Sequence, residues 1–89
     1  IFGGTPKAWA QMRFSKARAA WVEHEIWHPE QKSVRLADGR YELVVPYADE
    51  RELLGDMLRF GADVEVLAPA RLREQVQAEI QKMGQLYGR

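Results

Sequence analysis

Residues 33–46 read SVRLADGRYELVVP, and their reading decides the fold. Asp38-Gly39 lies between two segments in which apolar and polar side chains alternate. An Asp-Gly pair in that setting predicts a hairpin with a two-residue type I′ turn, whose central positions both need positive φ. The expected pairing is Ala37 opposite Arg40, Leu36 opposite Tyr41, Arg35 opposite Glu42 and Val34 opposite Leu43. The apolar pairs then share one face. Arg35 and Glu42 meet on the other, where opposite charges favour the register by about 0.2–1 kcal/mol.

Toward the N-terminus, Ala8, Ala10, Met12 and Phe14 alternate with Trp9, Gln11 and Arg13, which predicts a strand over residues 7–14. Ser15 is the expected cap of a helix over residues 16–26, and Pro29 limits that helix. Residues 1–6, IFGGTP, carry two glycines and a proline and read as a linker from a preceding domain. Because the chain opens on Ile1 rather than Met, it reads as part of a longer protein.

Toward the C-terminus, Asp49-Glu50-Arg51-Glu52 has the form of a capping box, and Leu53, Leu54, Met57 and Leu58 supply the buried stripe of a second helix. Gly61 suits its end. Residues 63–67 read as a strand, and Pro69 suits the first turn of a third helix. Leu72, Val76, Ile80, Met83 and Tyr87 recur at helical spacing along it.

The expected fold is α+β: a ferredoxin-like βαββαβ unit over residues 7–89 with an appended C-terminal helix. Alternation puts Ala8, Ala10, Met12, Phe14, Val34, Leu36, Tyr41, Leu43, Val45, Val64 and Val66 against the first two helices. Trp9, Gln11, Arg13, Arg35, Glu42, Val44, Glu65 and Leu67 then fall on an open face. With one sheet face already covered, the third helix needs another partner. Leu72 and Val76 are expected on the domain's own core, and Met83 and Tyr87 at a dimer contact.

Composition excludes several function classes. Eighty-nine residues, 46% hydrophobic and 29% charged, describe one globular domain rather than a disordered or fibrous chain. No run is long and apolar enough to suggest a membrane span, and no secretory leader is visible. Without cysteine there are no disulfides or thiolate sites. Thirteen basic and thirteen acidic side chains cancel, a poor footprint for duplex DNA binding. No phosphate loop, dinucleotide fingerprint, zinc-protease motif or nucleophile elbow occurs, so neither a catalytic site nor a cofactor is expected. His24 and His28 lack a third metal ligand in the pattern.

The remaining candidates are contact residues. Trp27-His28-Pro29-Glu30-Gln31 is either a structural corner anchored by Trp27 or a surface for a ligand or neighbouring domain. Trp9, Arg13 and Arg35 either stack on and pair with an anionic effector or serve packing and a local ion pair. A regulatory or dimerisation domain and a small-ligand module on the open face both remain open.

The residues also resemble a known family. The pattern has Arg13-Phe14 at a strand end, Trp27-His28-Pro29-x-Gln31, and Asp38-Gly39 in a hairpin. It continues with Leu53-Leu54-x-x-Met57-Leu58-x-Phe60-Gly61-x-Asp63-Val64-Glu65-Val66-Leu67-x-Pro69-x-x-Leu72-Arg73 and ends near Met83 to Tyr87. In order and spacing it resembles the C-terminal extension, or WCX domain, of WYL-domain regulators. Ile1-Phe2-Gly3-Gly4 is similar to the stretch that joins the WYL domain to this extension. The resemblance implies a bacterial, cytoplasmic transcription regulator with an N-terminal winged helix-turn-helix, a central WYL domain and this domain. It implies operator binding by the winged helix, effector sensing by the WYL domain, and a homodimer through which the extension relays the signal. It brings no catalytic, metal or cofactor-binding residue.

Overall fold

A computed structural model describes residues 8–88, so the expected linker and the start of the first strand at Lys7 lie outside the described residues. The elements are β1 (Ala8–Phe14), α1 (Lys16–Val22), β2 (Lys32–Arg35), β3 (Tyr41–Tyr47), α2 (Glu50–Phe60), a 3-10 turn (Gly61–Asp63), β4 (Val64–Ala68) and α3 (Ala70–Tyr87). This is an α+β fold with one four-stranded antiparallel sheet in the order β2-β3-β1-β4. β3 lies between β1 and β2, and β1 lies between β3 and β4, so two split β-α-β units interleave in a roughly ferredoxin-like order.

Alternation along the strands buries one sheet face. Ala10, Met12 and Phe14 of β1, Tyr41, Leu43 and Val45 of β3, and Val66 of β4 join Ala19 and Val22 of α1, Leu53 and Met57 of α2, and Leu72 of α3 in one core. Each large side chain withdrawn from water here contributes about 1.5–3 kcal/mol. Caps set the helix starts: the Ser15 hydroxyl accepts from the Arg18 N–H at 3.3 Å, and the Asp49 carboxylate accepts from the Arg51 N–H at 2.9 Å. Ser15 also fastens α1 to the start of β4, its N–H donating to the Asp63 carbonyl at 2.8 Å and its hydroxyl to the Asp63 carboxylate at 3.0 Å.

The hairpin forms in a different register from the expected one. β2 pairs Arg35 with Tyr41, Val34 with Glu42, Ser33 with Leu43 and Lys32 with Val44. The Leu36 N–H donates to the Arg40 carbonyl at 2.7 Å, and the Gly39 N–H to the Leu36 carbonyl at 2.9 Å, which leaves a three-residue loop, Ala37-Asp38-Gly39. Gly39 has φ +94°, while no described non-glycine residue has positive φ. A type I′ turn would need positive φ at Asp38 as well, so the loop is a turn followed by a left-handed glycine bulge. Asp38 settles the choice locally. Its carboxylate accepts from the Arg40 N–H at 3.0 Å and the Arg40 Nε at 2.8 Å, and this backbone bond, reinforced by the guanidinium, holds the carboxyl below its ordinary range.

A one-residue slip moves every side chain of the strand to the other face. Val34 therefore lies on the open face, and Arg35 lies on the helix side, where it pairs with Glu23 rather than Glu42. Replacing Gly39 with Val should cost roughly 1–3 kcal/mol, because a β-branched residue resists this φ. A Cβ there would also sit 2.9 Å from Lys16 Cγ. Thermal denaturation followed by circular dichroism measures this, and an unchanged midpoint would contradict the left-handed glycine.

α1 ends at Val22 rather than near Ile26. Beyond that end the chain brings Trp27 against the core. Pro69 stands at the N-cap of α3, one position before the expected first turn. In β4, Met12 faces Val66 while Gln11 faces Ala68, so Leu67 is the extra residue of a bulge. Among the described residues no helix is long and apolar enough to cross a membrane.

Candidate functional site

Three surfaces hold the side chains singled out from the sequence. On the open sheet face, Trp9 stands opposite Pro46 and is 42% exposed. Arg13 lies directly across from Glu42, and its Nε and Nη2 both donate to Glu42 Oε2, at 2.9 and 2.8 Å. Arg35 lies on the opposite side of the sheet, its Nη1 2.6 Å from Glu23 Oε2 and its Nε donating to the Gly39 carbonyl at 3.2 Å. Trp9, Arg13 and Arg35 are thus not brought together, and both arginines already have carboxylate partners. An anion arriving at this face would have to displace Glu42 from Arg13. Alternation alone assigned Arg35 to this face, and the hairpin register corrects it.

The second surface is the corner at Trp27. Its ring stacks on Phe60 at 5.8 Å between centroids and meets Phe14 edge-on at 5.9 Å. Gln31 holds the loop in shape. Its Oε1 accepts from the Trp27 N–H at 2.6 Å and the His28 N–H at 3.2 Å, and its amide donates to the Glu25 carbonyl at 3.3 Å. His28 Nδ1 accepts from the Glu30 N–H at 3.0 Å. Trp27 Nε1 is buried without a hydrogen-bond partner among the described residues. A cleft beside this corner is lined by Trp27, His28, Tyr47, Asp49, Glu52 and Asp56. Burial, with the Glu50 carboxylate adding to it, raises the Tyr47 phenol above its ordinary value. Phe60 stands in the family pattern, but its partnership with Trp27 was not anticipated. It follows Met57 by three residues and Leu53 by seven, the helical spacing of the buried stripe of α2, and that spacing was the available signal.

The third surface is α3. Its first half packs against α2 and β4. Leu72 is fully buried, Val76 rests on the core, and Arg73 Nη1 donates to the Val66 carbonyl at 2.8 Å and pairs with Glu65 at 3.0 Å. Every described residue from 80 to 88 is exposed, among them Ile80, Met83, Leu86 and Tyr87. A groove of about 520 Å³ runs between this half-helix, the end of α2 and β4, with Leu58, Val64, Val66, Val76, Ile80 and Met83 among its lining residues. Leu72 and Val76 thus lie on the domain's own core and Met83 and Tyr87 outside it. Leu86 and the groove were not anticipated. Leu86 follows Met83 by three residues, a helical spacing that marks it as a neighbour on the same face.

Among the described residues no group of three or more His, Asp or Glu side chains is placed to hold a metal ion. What these surfaces offer is contact: a tryptophan beside a closed ion pair, an aromatic corner tied by one glutamine, and an apolar half-helix with a groove at its base. No curated protein matches the chain. Among protein families, the WCX domain matches it over residues 6–84, nearly its whole length, and the chain belongs to that family.

Proposed function

We propose that this WCX domain is the regulatory and dimerisation module of a bacterial, cytoplasmic WYL-type transcription regulator. It has no catalysis of its own and relays effector binding to a winged helix-turn-helix elsewhere in the parent chain. The observation that carries this reading is the family match over residues 6–84. The domain spans residues 7–89 on a ferredoxin-like frame, and residues 1–6 join it to the WYL domain. Trp9, the Arg13–Glu42 pair and the Trp27–His28 corner are its interdomain contacts, while the exposed half of α3, with Met83 and Tyr87, serves the homodimer. The small-ligand reading has less support, because Arg13 is closed by Glu42 and Arg35 faces away.

In this reading DNA binding belongs to another domain. Thirteen basic and thirteen acidic residues leave no net charge to neutralise phosphates, the main source of non-specific affinity. Anisotropy of the 89-residue chain on a labelled duplex should therefore give a Kd no tighter than about 100 µM at physiological salt. A sub-micromolar Kd that weakens steeply with salt would overturn the assignment.

A further inference from the structure

We propose that the exposed half of α3 pairs antiparallel with the same segment of a second copy of this chain. The register sets Val76, which packs on its own core and lines the groove beside that half, against Tyr87 of the partner subunit, and Ile80 against Met83 of the partner subunit. The proposal rests on the dimerisation reading above and specifies its geometry. Val76, Ile80, Met83 and Tyr87 are spaced 4, 3 and 4 residues apart, the seam spacing of paired helices. That order is the same read backwards, so an inverted copy of the helix lays every apolar residue of the seam on another. Gly84 then lies across from Gln77 of the partner subunit. A side chain at Gly84 would meet nothing within 4 Å in its own chain, so the position is open to a close approach.

The area suits a second copy. Ile80, Met83, Leu86 and Tyr87 are 55%, 43%, 65% and 83% exposed. Covering them on both copies, with the mouth of the groove, buries roughly 1,000 Å², the size of a weak or transient interface. The isolated chain should accordingly dimerise weakly and in proportion to concentration, with the rest of the parent adding to the contact.

Cysteine linkage tests the register, because the chain has no cysteine of its own. Val76→Cys and Tyr87→Cys are prepared as single variants and checked for native circular dichroism. Each is then oxidised alone and in equal mixture, at concentrations where sedimentation equilibrium shows the unmodified chain to be dimeric. The mixture should give a mixed disulfide dimer at least tenfold faster than either variant alone. In the proposed pairing, identical positions of the two copies lie about 16 Å apart along the helix, beyond the reach of a disulfide. Self-linkage of either single variant would mean parallel helices and overturn the proposal. A dimeric chain whose mixture does not link would overturn the register and leave the dimerisation reading standing. A chain monomeric at every concentration would remove both.

Discussion

Leu72→Asp should unfold the domain, while Met83→Asp, eleven residues along the same helix, should leave it folded and monomeric. Leu72 is fully buried in one core with Met12, Leu43 and Leu53. A carboxylate placed there is either desolvated without a partner or protonated at a cost, and the leucine's packing is lost as well. The combined penalty is about 4 kcal/mol or more, comparable with the whole stability of a domain this size. Met83 is 43% exposed, so a carboxylate there keeps its water in the monomer but loses it in a helix pair. Circular dichroism reports folding, and size-exclusion chromatography with light scattering reports mass. A Leu72→Asp variant with native ellipticity would contradict the placement of α3. Unfolding by Met83→Asp would show that the second half of α3 belongs to the core.

The second large effect is at Phe14. Its ring is fully buried and makes edge contacts with Trp27 at 5.9 Å and Phe60 at 5.3 Å. Phe14→Ala removes the shared partner of both rings and opens a cavity between β1 and α2. The expected loss is about 3–5 kcal/mol. Urea denaturation measures it as a fall in the midpoint. Fluorescence adds a local signal: Trp9 and Trp21 are 42% and 68% exposed, so the blue-shifted part of the emission comes from Trp27 and should move to the red. A loss below about 1 kcal/mol would mean that the cluster repacks and that Phe14 is not its keystone.

Much of this fold was legible in the chain. The alternation in β1 and β3 identified the buried face because strand periodicity is local and Met12, Phe14, Leu43 and Val45 have no polar alternative. Ser15 and Asp49 marked helix starts because a short acceptor side chain reaches N–H groups only two or three residues away. The stripe on α3 showed which residues would share a face, and Leu72 and Val76 do turn toward the core.

The candidate site was less legible, because it depends on which elements meet. The Asp38-Gly39 pair announced a hairpin but not its loop length. Asp38 could take positive φ in a two-residue turn, or keep negative φ and bind the Arg40 N–H. The second choice moves Arg35 to Glu23 on one side of the sheet and leaves Glu42 to Arg13 on the other. Those partners lie 12 and 29 residues away along the chain, so no local pattern could name them. The same holds for Trp27, whose neighbours Phe14 and Phe60 come from β1 and α2. Local sequence determined the elements and their apolar faces, since backbone preference and side-chain period act within a few residues. Tertiary structure alone decided the Arg13–Glu42 and Arg35–Glu23 pairs, the neighbours of Trp27 and the end of α3 left uncovered, because each follows from contacts between segments that only folding brings together.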